Sequence, residues 1–354
     1  MPEAGGARGE RGARSPSGRD APLYAALDLG TNNCRLLIAR PSRDGFRVVD
    51  SFSRIVRLGE GLTRTGNLDA DAMNRAYEAL AVCAERIARR GVEPRRVRAV
   101  ATQACRSADN GATFLKRVGA GTGLDLRIIP PEEEARLSVQ GCLNLFDPAA
   151  RAVVVVDVGG GSTEVSWLRR VGEADRGQFE TVSWMSAPLG VVTLAERHPE
   201  PDPPTEAWYE AMVEDMHARL AAHDGASSLR SLFEAGDAHL IGTSGAITSL
   251  AGVHLGLTRY DRNLVDGLWM TRDQCTRAAD RLKALGPQGR AAESCIGAQR
   301  ADLVLAGAAI LEAVQRAWPC ARVRVADRGL REGLLLTAMR EGRAAAGRRR
   351  RRRR

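Results

Sequence analysis

Residues 153–167 read VVVVDVGGGSTEVSW: four valines run into an aspartate, and three glycines, a serine, a threonine and a glutamate follow before the apolar pattern resumes. β-Branched residues at this density make a buried strand. Residues 25–38, AALDLGTNNCRLLI, repeat the arrangement of strand, aspartate, glycine-bearing polar turn and strand. A carboxylate at the end of a buried strand carries a desolvation penalty unless it is paired or bound to a cation. Two such hairpins in one chain predict two related lobes facing a cleft.

The rest of the pattern is an α/β order. Residues 24–39 and 45–56 predict successive strands joined at Arg43, Asp44 and Gly45, and 97–102 and 125–129 predict two more. Met73, Ala76, Tyr77, Leu80, Cys83, Ala84 and Ile87 recur at three-and-four spacing, which predicts an amphipathic helix over 69–90; 111–120 is a shorter one. In the second half, strands are expected at 152–158, 164–168, 181–187, 239–242 and 322–325, and helices at 206–223, 245–254, 271–285, 301–318 and 329–340. The domain expectation is a first lobe over 21–131, joined by the helix at 329–341, and a second over 132–328.

With 354 residues, 44% of them hydrophobic, the chain can bury a core of two-domain size. Its net charge of +9 is local. Residues 341–354 hold eight arginines against one glutamate, and residues 1–20 hold four against three acids, so the body between is close to neutral. Segments 1–20 and 342–354 are expected to be disordered tails; the arginine run at 348–354 is the one feature that would take RNA or another polyanion. No run approaches the roughly 18 apolar residues of a membrane span, and the first twenty lack an apolar leader core, so a cytoplasmic protein with no membrane partner is expected. The seven cysteines show no CxxC and the five histidines no HExxH. Free thiols are therefore expected, and any metal should sit on oxygen ligands, as Mg2+ or Mn2+ does.

Glycine lets backbone N-H groups approach and cradle a phosphate, through positive φ or through close contact. Gly159, Gly160 and Gly161, with the hydroxyls of Ser162 and Thr163, make such a donor-rich turn; an ordinary tight hairpin would look similar. Asp157 and Glu164 flank it, where both carboxylates could reach one ion, and Asp28 would face them from the other lobe, ahead of Gly30, Thr31, Asn32 and Asn33. A third turn, Thr243, Ser244 and Gly245, stands at a strand-to-helix junction that favours an anion. Carboxylates beside phosphate-cradling turns point to Mg2+-assisted phosphoryl chemistry.

Together these blocks resemble the exopolyphosphatase and guanosine pentaphosphate phosphohydrolase (Ppx/GppA) family. The matches are, in order, DLGTNNCRLLIA, RIVRLGEGL, ATQACR, PPEEEARL, VVDVGGGSTEV, APLGVVTL, IGTSGAITSLA and ADRGLREGLL. The resemblance implies two ribonuclease H-like lobes of the actin, sugar-kinase and heat-shock-chaperone superfamily with an interlobe cleft. It implies that Glu134 is the general base on the attacking water and that Arg106 clamps the scissile phosphate. It further implies Asp157 and Glu164 as metal-site or phosphate-site acids, and a homodimer. By itself the acidic triplet Glu132, Glu133 and Glu134 after two prolines reads as a helix start favoured by the helix dipole.

The sequence departs from the family pattern at Asn33, where Ser or Thr is common, and at Ala246, where Thr is. Against the pattern of longer members, a C-terminal helical extension with its HD-type region is not expected after RGLREGLL, which puts processivity on long chains and the choice of substrate in question. The function expected is release of terminal orthophosphate from inorganic polyphosphate. The alternatives are hydrolysis of guanosine pentaphosphate (pppGpp) to ppGpp, and a polyanion-binding protein anchored by its arginine tail. A kinase-like or chaperone reading fits the glycine turns alone but not the EEEARL block.

Overall fold

The computed structural model describes residues 21–43, 45–172 and 178–351. Segments 1–20 and 352–354, and Asp44 of the first hairpin, lie outside the described residues. Five strands make the first sheet: β1 (Tyr24–Leu29), β2 (Asn33–Ser42), β3 (Gly45–Ile55), β4 (Val97–Ala101) and β5 (Leu126–Ile128), in the order β3-β2-β1-β4-β5. The second sheet holds β6 (Ala152–Val158), β7 (Thr163–Val171), β8 (Gln178–Ala187), β9 (Ala238–Thr243), β10 (Trp269–Thr271) and β11 (Arg322–Ala326). Its order is β10-β11-β9-β6-β7-β8. Leaving out β10, the two sheets share one plan: three antiparallel strands followed by two parallel ones.

Period-two alternation decides where the aspartates point. Along β1, Ala25, Leu27 and Leu29 enter the core under the helices Ala70–Arg89 and Gly111–Thr122, while Tyr24 and Ala26 pack on the other side with the helix Leu330–Arg351. Asp28 belongs to the second set. Along β6, Val154, Val156 and Val158 enter the larger core, and Val153 and Val155 pack with Val139 and Cys142 of the helix Pro131–Cys142. Asp157 follows that second face. The helices Pro131–Cys142 and Leu330–Arg351 pack on different sheets and on each other. Gly141 and Gly333 allow their crossing, since a Cβ on either would stand 2.0 Å from a carbonyl oxygen of the facing chain.

The structure differs from expectation in the short helices Leu62–Thr65, Gln103–Ser107, Val191–Arg197, Arg230–Glu234 and Arg262–Val265, which were not expected, and in the following places. Residues 24–39 break at the 30–32 turn into two antiparallel strands. The 271–285 helix resumes beyond Gly286 (φ 62°) and Pro287 and reaches Ala292. Three-residue β10 was missed, being too short to show alternation. The last helix overruns Arg340 to Arg351, into the segment expected to be a disordered tail. Alanine and arginine are strong helix formers, and like-charge pairs four residues apart cost only about 0.2–0.5 kcal/mol each.

Candidate active site

The C-terminal ends of β1, β6 and β9 open onto one cleft, lined by all three glycine-bearing turns. Asp28, Gly30, Thr31, Asn32 and Asn33 line it from the first lobe. Asp157, Gly159, Gly160, Gly161, Ser162, Glu164, Thr243, Ser244 and Gly245 line it from the second, and Glu134 reaches it from the first turn of its helix. Thr163 does not line it. That residue shares the face of β7 that carries Val165 and Trp167 into the core, and its hydroxyl donates to Leu189 O at 2.6 Å.

The first two turns are built alike. Gly30 N-H donates to Asn33 O and Gly159 N-H to Ser162 O, both at 2.9 Å. None of Gly30, Gly159, Gly160 and Gly161 has a positive φ, so conformational freedom is not what glycine supplies. Close approach is. A Cβ on Gly160 would lie 2.9 Å from Thr31 Cβ and 3.0 Å from Asn32 N; one on Gly161 would lie 2.0 Å from Gln103 Oε1. The glycines thus bring the turns of the two lobes into backbone contact. Among the described residues the amides of Gly160 and Gly161 find no backbone acceptor, which leaves them free for an anion. The third turn is used differently: Ser244 Oγ accepts from Ala246 N and Ile247 N and caps the helix Gly245–His254, and Thr243 Oγ1 donates to Arg328 O.

Four carboxylates line the cleft, Glu134 and Glu164 buried and Asp28 and Asp157 half-buried. Asp157 and Glu164 are direct cross-strand partners on β6 and β7. Ser138 Oγ donates to Asp157, and Ser162 Oγ and Ser186 Oγ donate to Glu164 Oε1 at 2.8 and 2.7 Å. Asp28 Oδ1 is buried with no hydrogen-bond partner among the described residues. Burial raises all four pKa values above the ordinary range: Asp28 to about 6, Glu164 to about 7, Asp157 upward, and Glu134 well upward with the charge of Glu164 adding to burial. Arg106 does not line the cleft; its Nη1 donates to Glu134 Oε2 at 3.2 Å and to Ile129 O at 2.7 Å. In this conformation it holds Glu134 in place.

The sequence reading missed Arg35, Gln103, Arg300 and Arg331, which also line the cleft. Arg35 pairs with Asp28 across the first hairpin as Glu164 pairs with Asp157 across the second. Each stands seven residues beyond its aspartate, so the internal repeat carried a signal for it. Burial, and then Arg331, push the Arg35 pKa down, which marks a guanidinium short of negative charge.

Two lobes with one strand plan, a cleft between them and paired glycine turns at its floor define the actin-like two-lobe fold. The model of the Ppx/GppA phosphatase family matches residues 37–341. The chain belongs to that family. It is 32% identical over 301 residues to exopolyphosphatase 2 of Mycobacterium tuberculosis, covering 82% of this chain and 89% of that one. It is 29% identical over 313 residues to the guanosine-5'-triphosphate,3'-diphosphate pyrophosphatase of Vibrio atlanticus, covering 88% of this chain and 58% of that one. The crystal structure of the Aquifex aeolicus Ppx/GppA family member superposes with a TM-score of 0.72 at 29% identity, over 91% of this chain and 98% of that one. An exopolyphosphatase from Cytophaga hutchinsonii shares the fold, with a TM-score of 0.76 at 24% identity over 90% and 98%.

Phosphatases of this family generally depend on a divalent metal. The donor set here fits a cation that keeps most of its shell from water and substrate. Among the described residues no three His, Cys, Asp or Glu side chains converge as a ready-made cage, so the expected common site of Asp28, Asp157 and Glu164 is not preformed. Serine hydroxyls occupy one Glu164 oxygen. The orphaned Asp28 Oδ1 and the upward-shifted carboxylates nevertheless mark a place where positive charge is wanting. One or two carboxylates plus phosphate oxygens is the usual way a protein holds Mg2+.

Proposed function

We propose that this protein is a Mg2+-dependent exopolyphosphatase that hydrolyses the terminal anhydride of inorganic polyphosphate. The observation that carries the reading is Glu134: a buried carboxylate with a raised pKa, opening onto the cleft that both glycine turns line. Arg106 occupies Oε2, which leaves Oε1 to take a proton from water. The water oxygen then attacks the terminal phosphorus, the bridging P–O bond breaks, and the shortened chain leaves with the electron pair as orthophosphate is released. A raised pKa makes Glu134 a stronger base than an exposed glutamate, provided it is ionised when substrate arrives. The amides of Gly160 and Gly161 are donors for the phosphoryl oxygens, and Arg35, Arg300 and Arg331 supply charge along the chain. Mg2+ held by Asp28 and Asp157, with Mn2+ as a substitute, supplies neutralisation of phosphate charge when bound.

The substrate is tested by comparing kcat/KM on polyphosphate and on pppGpp. Polyphosphate should be preferred; a higher value on pppGpp would transfer the assignment to the nucleotide. Arg343 and Arg348 are exposed on the last helix. Deleting 342–354 is expected to raise KM on long chains severalfold at low salt and leave short chains unaffected, the mark of an electrostatic tether. Loss of all polyanion binding with no turnover in the full chain would instead favour a binding protein. A homodimer in the cytoplasm remains part of the proposal, tested by sedimentation and fractionation.

The carboxylates also fix a pH response. Asp28 and Glu164 have folded-state pKa values of about 6 and 7, above the ordinary 3.8 and 4.5. The protonated groups favour the folded state, so their contribution is full below about pH 4 and is lost as pH rises through 6 to 7. In Mg2+-free buffer Tm should therefore fall between pH 5 and pH 7.5. Added Mg2+ should raise Tm more at pH 7.5 than at pH 5; an equal shift at both would remove Asp28 from the metal site.

A further inference from the structure

The block RIVRLGEGL stays outside the catalytic account, yet its turn joins the two lobes at the rim of the cleft. Arg57 Nη1 and Nη2 donate to Asp302 Oδ2 and Oδ1 at 2.9 and 3.2 Å, and Nη2 also to Gln299 O at 3.3 Å. Gly61 N-H and Thr63 Oγ1 donate to the two oxygens of Glu196 at 2.9 and 2.6 Å. Arg57 is held at φ 47°, an uncommon conformation for a residue with a side chain.

The first-lobe end of this contact runs directly to its phosphate turn, and the neighbouring Glu196 leads through its helix to the other. On the first lobe, Val56 N and Arg57 N donate to Asn32 O at 2.8 and 3.1 Å, and Gly59 N donates to Thr31 O at 2.9 Å. Gly59 lies so close that a Cβ would stand 2.2 Å from Thr31 Cγ2. On the second lobe, Glu196 belongs to the helix Val191–Arg197, whose Val191 N and Val192 N donate to Gly159 O and Gly160 O at 3.0 and 2.8 Å. Asp302 stands between the cleft-lining residues Arg300 and Leu303. Arg57 is therefore one hydrogen bond from the first glycine turn, and Glu196 stands on the helix that is hydrogen-bonded to the second.

We infer that Arg57 is a positioning residue, whose bond to Asp302 latches the lobes and sets the separation of the two phosphate turns. The chemistry of the latch suits reversible closure. The Arg57 and Asp302 side chains are 33% and 50% exposed, so water screens the pair and its strength is small. A permanent joint would be apolar; a screened ion pair can part to admit a phosphate chain and re-form over it. Opening lowers the fraction of protein competent to bind, and apparent affinity falls in proportion.

The kinetic arm of the test rests on the hydrolase reading, whereas small-angle scattering of the free protein does not. Two variants spare the fold: Arg57→Gly, because glycine accepts the positive φ without strain, and Asp302→Asn, which keeps the shape. Each is expected to increase the radius of gyration and to raise KM for polyphosphate about three- to tenfold, with kcat within about twofold of wild type. The exchanged pair Arg57→Asp with Asp302→Arg should restore both. Unchanged scattering and KM in both single variants would overturn the latch. So would a fall in Tm and kcat with KM and scattering unmoved, the signature of a merely structural contact. If the wild type hydrolyses no phosphate chain, the functional reading fails while scattering still decides the latch.

Discussion

Glu134→Gln protein is expected to fold, to bind a phosphate chain and to release orthophosphate about a thousandfold more slowly than wild type. A positioned general base contributes roughly a hundredfold to ten-thousandfold, and glutamine keeps the shape while losing the basic oxygen. KM should change little, because the glycine turns and arginines that hold the chain are untouched. Tm should rise slightly or hold, since burial already disfavours the ionised carboxylate and the neutral amide still accepts from Arg106. Steady-state phosphate release with a melting curve on the same sample checks all three. Wild-type kcat in this variant would remove Glu134 from the chemistry.

Gly160→Val is expected to lower kcat/KM on polyphosphate about a hundredfold, the scale of a 1 Å misplacement of reacting groups. The reason is steric. The space beside Gly160 is filled by Thr31 Cβ at 2.9 Å and by the backbone nitrogen of Asn32 at 3.0 Å, so any branched side chain must push the first turn away from the second. Gly161→Ala makes an informative contrast. Its nearest obstacle is the end of a side chain, Gln103 Oε1, so adding Gln103→Ala should recover part of the loss, whereas no side-chain deletion can relieve the contact of residue 160 with Asn32 N. The measurement is kcat/KM for Gly160→Val and Gly161→Ala, each with and without Gln103→Ala; equal rescue at both positions would show that turn separation is not what the glycines control.

Much of this site was legible in the sequence because period-two alternation and glycine placement are local. The valine run fixed β6, and counting by twos from Val153 and Val155 brings Asp157 to the face shared with the helix Pro131–Cys142. The same count should have turned Thr163 inward with Val165 and Trp167, and it should have paired Arg35 with Asp28. What stayed hidden was tertiary. The glycines look made for positive φ but serve the approach of another lobe's turn, which no neighbouring residue announces. Arg106 was assigned to phosphate from its motif, yet its nearest acceptors are Glu134 and Ile129 O, placed there by the meeting of β4, β5 and the helix that follows. The rim contact of Arg57 with Asp302 joins residues 245 apart, beyond any periodicity.

Hydrolysis of polyphosphate in water enriched with 18O, with Mg2+ present, tests the central claim most directly. Attack of a water molecule activated by Glu134 on the terminal phosphorus predicts one water-derived oxygen, at the enrichment of the water, in each orthophosphate cut from the end of a long chain by the wild type, and about a thousandfold slower release by Glu134→Gln. Unlabelled orthophosphate, transfer of the terminal phosphoryl group to an acceptor in place of water, or undiminished release by Glu134→Gln would contradict it.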